Sequence, residues 1–188
     1  LSADLSGLLL DLAEWGVTDP STLSWLDPPP SSAVMAARAE LQTIGALEPN
    51  GRITAEGRRV RALPLPPRLA RMVLAARSLQ AAELAAVLVE RGLGGNDADL
   101  EYRLTSFRRD RSCRAEDMRR LATVWAKTAG APPSSSDDSI AALLALAYPD
   151  RIAKARGAPG QFLLANGRGA YVDHSDGLAK SPYLIVAE

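Results

Sequence analysis

The residues best able to do chemistry in this chain are arginines in two runs. Arg52, Arg58, Arg59, Arg61, Arg68 and Arg71 fall within residues 51–77, and Arg103, Arg108, Arg109, Arg111 and Arg114 gather around Cys113. A planar guanidinium offers forked donors that match phosphate oxygens, so such runs point first to a polyanion. Net charge is zero, but it is unevenly spread. Residues 1–50 hold seven acids and one arginine, residues 51–77 hold seven arginines against Glu56 alone, and residues 78–188 hold fourteen of each sign. A positive face can therefore exist on a neutral molecule, and local fields are what phosphates respond to. The same residues also suit a salt-bridged, solvated surface.

Other chemistries find no residue set. His174 is the only histidine, with Asp173 and Asp176 beside it; side chains so close in sequence rarely converge on one centre, so no metal site is expected. No glycine-rich loop ends in Gly-Lys-Ser or Gly-Lys-Thr, so no triphosphate cradle is expected. Gly157-x-x-Gly160 and Gly167-x-Gly169 are too short for that role, and Ser134, Ser135 and Ser136 have no base nearby. Cys113 is alone, which excludes an internal disulfide and is usual for an inert thiol. No catalytic residue and no bound cofactor are expected here. No run is long enough to span a membrane, and no signal-peptide pattern is visible. The chain starts on Leu1 and ends in an apolar run, Tyr183 to Ala187. That reads as a piece of a longer protein, although processing explains the first fact equally well.

Helices must position the arginines. Leu5, Leu8, Leu9 and Leu12 recur at helical spacing over residues 3–15, with Asp4 or Ser2 as cap and Gly16 as stop. Pro28, Pro29 and Pro30 exclude regular structure, and Ser31 or Ser32 caps a helix over 31–45 with Val34, Ala37, Leu41 and Ile44 on one side. Asn50-Gly51 signals a two-residue hairpin turn. Thr54 caps a short helix over 55–63, with Gly57 where a capping box wants glutamate. After Pro64, Pro66 and Pro67 a helix carries Leu69, Met72, Val73 and Ala76. Helix, helix, hairpin and helix form a winged-helix pattern with Arg52 at the wing. Further helices carry Ala81, Leu84, Ala85 and Leu88; Leu100, Leu104 and Phe107; and Met118, Leu121, Ala122 and Trp125. Residues 130–138 read as an exposed loop. A last helix carries Ile140, Leu143, Leu144 and Ala147, with one more turn over 150–154. From residue 157 the period becomes two, with strands at 162–165, 170–172 and 183–187, too few to bury a sheet independently. Trp15, Trp25 and Trp125 read as core.

At this point the sequence resembles the C-terminal part of HrpB-type bacterial DEAH-box ATP-dependent helicases, in superfamily 2. The resemblance rests on ADLSGLLLDLAEWGV at 3–17, WLDPPP at 25–30, GRITAEGRRVRALPLPPRLARMVLAA at 51–76, FLLANGRGA at 162–170 and SPYLIVAE at 181–188. It covers nearly the whole chain. It implies a mainly α chain: a winged helix over 1–77, a helical, ratchet-like bundle over 78–156, and a partial, truncated β domain over 157–188. It implies ATP and Mg2+ in the parent protein, bound by two RecA-like motor domains outside this chain, and a piece inactive on its own. The implied partners are single-stranded RNA or DNA and those motor domains; the implied setting is a cytoplasmic monomer without membrane contact. Arg103, Arg108, Arg109, Arg111 and Arg114 are then expected on the strand, and Arg52, Arg58, Arg61, Arg68 and Arg71 on motor or strand. The alternatives are a free-standing winged-helix regulator of duplex DNA and a protein-interaction scaffold. The first is poorly served by residues 31–45, whose one base is Arg38, beside Glu40.

Overall fold

The computed structural model describes residues 4–132 and 138–187. Ser2 and Ser134, Ser135 and Ser136 lie outside the described residues. Two compact units meet in the chain between Leu74 and Ala75.

The first unit contains α1 (Ser6–Glu14), α2 (Ser31–Thr43), α3 (Ala55–Arg61) and most of α4 (Pro67–Ala76). Asp4 opens α1 by accepting the Ser6 N–H at 2.8 Å. The buried side of α1 is Leu9, Leu10, Leu12 and Ala13, while Leu8 is exposed. The stripe is therefore rotated from the expected Leu5, Leu8, Leu9 and Leu12. Trp15 ends up on the far side and is 72% exposed, which corrects its reading as core. Trp25 is half-buried and donates its indole N–H to the Pro20 carbonyl at 2.7 Å. Pro30, not a serine, stands at the N-cap of α2 and makes no side-chain cap bond, so the serine cap is not found.

The wing is a single antiparallel bridge, Leu47 to Ile53. Its loop is Pro49-Asn50-Gly51, one residue longer than expected: Gly51 N–H closes the turn on Glu48 O at 2.9 Å, and Glu48 N–H reaches Arg52 O at 2.8 Å. Gly51 takes φ +84°, the left-handed position that a three-residue hairpin with a bulge requires. Asn50 Oδ1 accepts the Arg52 N–H at 2.9 Å.

Thr54 joins wing to helix. Its hydroxyl accepts the Gly57 N–H at 2.9 Å and donates to Gly45 O at 2.7 Å. A Cβ on Gly57 would stand 2.2 Å from the Ala46 carbonyl oxygen and 2.8 Å from Ile53. This explains the incomplete capping box, because the site that wants glutamate has no room for any side chain.

In the second unit α5 (Leu79–Val89) is the central helix, buried from Gln80 through Val87. Ser78 caps it. A helix buried on all sides needs neighbours all round; α6 (Leu100–Arg109) and α7 (Cys113–Thr128) pack on it. The fully buried alanines 81, 82, 85 and 86 of α5, and 115 and 122 of α7, let the helices approach closely. Met118, Ala122 and Trp125 are buried as expected, but Leu121 is 44% exposed. Ser139 caps α8 (Ile140–Ala147), whose Ile140, Leu143, Leu144 and Ala147 are buried.

The expected helical turn over 150–154 is absent. A 3-10 turn, Pro149–Arg151, leads directly into β1 (Ile152–Ala155). With β2 (Gln161–Leu164), β3 (Gly169–Tyr171) and β4 (Tyr183–Ile185) it makes a four-stranded antiparallel sheet, order β3-β2-β1-β4. The sheet thus takes in residues that the period reading gave to the helical part. Ala153, Phe162 and Leu164 form its core, with Ala170, Val172, Leu184 and Val186 packed against them. The β2–β3 turn repeats the wing: Gly167 (φ +83°) bonds Leu164 O, Leu164 N–H bonds Arg168 O, and Asn166 Oδ1 accepts the Arg168 N–H.

Replacing Gly57 with alanine is expected to destabilise the first unit by about 1–3 kcal/mol, the usual cost of forcing atoms into a filled site. Chemical denaturation of the two proteins measures it. Equal midpoints would show that the Ala46 carbonyl moves aside freely.

Candidate nucleic-acid interface

The first arginine run is spent largely inside its own unit. On α3, Arg58 pairs with Glu14 at 3.2 Å and Arg61 with Asp11 at 2.7 Å. The two acids are three apart on α1 and the two arginines three apart on α3, so each pair of faces aligns one turn with another. Arg59 pairs with Glu56 on its own helix at 2.8 Å. Arg68 of α4 is 9% exposed and lies 3.1 Å from Glu40 of α2. Arg71 donates to Ile44 O at 3.1 Å, at the C-terminal end of α2. Arg52, on the wing, is exposed and its guanidinium is in no pair among the described residues.

The second run divides the same way. Arg103 donates to Val87 O at 3.0 Å, in the last turn of α5. Arg108 pairs with Glu83 at 2.7 Å, and Arg114 holds both Glu90 and the Arg91 carbonyl. Glu83 lies within α5 and Glu90 is its C-cap residue, so the central helix and its end anchor α6 and α7. Arg119, which sequence reasoning did not single out, donates to Phe107 O and Asp110 O, each at 2.7 Å, and lies over the Phe107 ring. Three of the five expected strand contacts, Arg103, Arg108 and Arg114, are thus engaged in packing α6 and α7 onto α5.

Arg109 and Arg111 are exposed and make no such bond. They flank Asp110 at the corner between α6 and α7. Tyr102 is 61% exposed and lies seven residues before Arg109, two turns back on the same side of α6. This tyrosine was missed; its spacing from Arg109 could have found it once Leu104 and Phe107 had fixed the buried face. Tyr102 and Arg109 share an exposed side of α6 and Arg111 lies in the turn beyond it; neither cation is paired among the described residues.

Nothing in the described residues arranges a catalytic set. Among the described residues, no group of three or more histidine, cysteine or acidic residues could hold a metal ion. His174 is exposed, 3.9 Å from Asp173. Cys113 is exposed at the first turn of α7. No helix among the described residues is long and apolar enough to cross a membrane.

Comparison with known proteins places this arrangement. A family model described as helicase associated domain (HA2), winged-helix, matches residues 37–65, from α2 through the wing and α3. The ATP-dependent RNA helicase HrpB of Escherichia coli (strain K12) is 41% identical over 189 residues, covering 98% of this chain. The crystal structure of the E. coli DExH-box NTPase HrpB superposes with a TM-score of 0.84 at 38% identity over 99% of this chain. Over nearly its whole length the chain is thus similar to a region of the HrpB-type DEAH-box helicases. A second HrpB structure, the E. coli DEAH/RHA helicase, gives a TM-score of 0.82, again at 38% identity. The chain spans about a fifth of the length of these HrpB relatives, 22% of the helicase and 22–23% of the solved chains. The matched residues include Thr54, which caps α3 through the Gly57 N–H, and Gly57, where no side chain has room.

Asp110 lies at the corner between α6 and α7. Its carboxyl lies below the ordinary aspartate range, first because the Ser112 N–H donates to it at 2.8 Å, then through the Ser112 hydroxyl and, more weakly, the charge of Arg119. A depressed pKa means that the turn's contribution to stability is present above the unfolded value and lost as pH falls through the folded one, below pH about 4. Carboxyl NMR titration is expected to give Asp110 a pKa below 3.8, moving only part of the way back in Ser112→Ala, where the backbone donor remains. A value at or above 3.8 in the parent protein would remove the turn from the description.

Proposed function

We propose that this chain is the accessory module of an ATP-dependent helicase, helping to form the channel for a single strand of RNA or DNA. Arg109 and Arg111 supply the phosphate contacts, and Tyr102 lies in line with them. The observation that carries this reading is the division among the arginines. Packing of α6 and α7 on α5 uses Arg103, Arg108 and Arg114, and leaves two neighbouring guanidiniums in solvent with no partner among the described residues. RNA is the nucleic acid named for the E. coli relative, an ATP-dependent RNA helicase. ATP and Mg2+ belong to motor domains outside this chain; no Gly-Lys-Ser or Gly-Lys-Thr loop stands in its sequence. The module works in the cytoplasm, and its winged helix faces the motor domains. Arg52 and the exposed Trp15, Leu26 and Met35 are among the groups of the first unit available for that contact.

The duplex-regulator reading loses its one base in α2, because Arg38 is bonded to the Thr18 carbonyl. The exposed residues of α2 are Ser31, Ser32, Met35, Ala36, Ala39 and Thr43, which offer no bidentate Arg, Asn or Gln contact to a major-groove edge.

Fluorescence anisotropy with labelled single strands and duplexes tests the proposal. Single strands are expected to bind without sequence preference, and binding weakens as salt rises. Exchanging both Arg109 and Arg111 for glutamine lowers the salt slope by about 1–2, at about 0.7 per phosphate lost. Sequence-specific duplex binding, or a double variant that binds like the parent, would overturn the assignment.

A further inference from the structure

The second unit holds a cavity of about 480 Å3 between the end of α5, the loop that follows it and the inner face of the sheet. Leu88 and Leu100 wall it from the helices, and Val172, Leu184 and Val186 from the sheet. The same Val172, Leu184 and Val186 pack on Ala153, Phe162 and Leu164. All five wall residues are half-buried. Each therefore keeps apolar surface that the packing of the unit leaves uncovered, and covering it would be favourable.

Two arginines line the same space. Arg103 donates one nitrogen to Val87 O, while its Nε is buried and has no hydrogen-bond partner among the described residues. Its backbone is fixed from the other side, because a Cβ on Gly94 would stand 2.2 Å from Arg103 O. Arg91 is exposed, and its guanidinium is unpaired among the described residues. One acid, Asp97, also lines the cavity, and its Oδ1 already accepts the Asp99 N–H at 2.8 Å. The negative end of α5 is answered too: Arg103 takes Val87 O, Glu90 N–H takes Ala86 O, and Arg114 takes Arg91 O. The lining is thus apolar on most sides and positive at one end.

We propose that this cavity binds a small amphipathic anion, with an apolar body against the leucine and valine walls and one carboxylate or phosphate at Arg91 and Arg103. Apolar walls with a few convergent polar groups are the usual make-up of a small-molecule site. A guanidinium fork matches either head group. The body must be apolar, because no serine, threonine or glutamine lines the cavity and Asn96 is the one side-chain amide there among the described residues. A sugar or a base edge would find few partners. The inference does not draw on the single-strand reading, and it uses neither Arg109 nor Arg111.

The test titrates the 188-residue chain with decanoate, decyl phosphate and, as the neutral control, decanol, following methyl groups by NMR. Saturable binding is expected for the anions, with shifts concentrated at Leu88, Leu100, Val172, Leu184 and Val186. The tighter of the two anions names the head group. Arg91→Gln is expected to weaken the anions about tenfold or more, the worth of a hydrogen bond to a charged group, and to leave decanol unchanged. Leu88→Trp, which fills the space, removes binding of all three. Circular dichroism of both variants confirms an intact fold, and Arg91 is exposed, so its exchange disturbs no packing. Decanol that binds the parent as tightly as the anions would overturn the role of the arginines. Anions that fail to saturate, or that shift methyl groups throughout the chain and bind Leu88→Trp unchanged, would overturn the site itself.

Discussion

Every α-helix ends with carbonyl oxygens that have no partner within it, and the helix dipole makes that end negative. In this protein guanidinium groups from neighbouring elements meet those ends repeatedly. Arg71 reaches the carbonyl of Ile44 after α2, Arg103 that of Val87 in α5, Arg119 those of Phe107 and Asp110 at the end of α6, and Arg77 donates twice to Gly130 beyond α7. Nineteen of the 22 basic residues are arginine. Lysine could supply the charge, but not a planar fork that spans two acceptors. Helix packing in both units depends on this use of arginine. Arg77 itself takes φ +49°, a conformation uncommon outside glycine, and its two bonds to Gly130 help to hold it there.

That structural demand explains why the arginine runs overstate the free positive surface. Polyanion binding and helix-end capping call for the same side chain, and sequence does not separate them. What separates them is position after folding. On α6 the cations facing α5 are consumed and the one at the helix end is left over, while Arg111 escapes because it sits in the turn. The functional surface is the remainder of the packing solution, and so it is small and specific rather than a broad basic patch.

Much of the architecture was legible before folding was considered. Helices at 31–45 and 55–63, the Thr54 cap and the stop at Gly16 follow from local rules, and the long matched segments placed the winged helix. The failures have physical causes. Ile152–Ala155 reads Ile-Ala-Lys-Ala, with no aromatic or turn signal, and it becomes a strand only because β2 and β4 flank it. Trp15 looks like core because of its type, but the rotation of α1 is set by Leu10 and Ala13. The partners of Arg108 and Arg114 lie 25 and 24 residues away in sequence, a separation that no local pattern encodes. The unpaired state of Arg109 and Arg111 could be recognised only once those partners were known.

The two Asn-Gly-Arg turns bear on how the protein ages. Asparagine before glycine is the dipeptide most prone to spontaneous deamidation, because the glycine nitrogen can attack the neighbouring amide carbon to form a cyclic imide. In both turns that nitrogen already donates its hydrogen to a carbonyl, Glu48 O or Leu164 O, and the asparagine oxygen is held by the arginine N–H that follows. The fold immobilises both reacting groups. The geometry that sets the register of each hairpin therefore also protects its most perishable bond, and that protection lasts only as long as the hairpin stays closed.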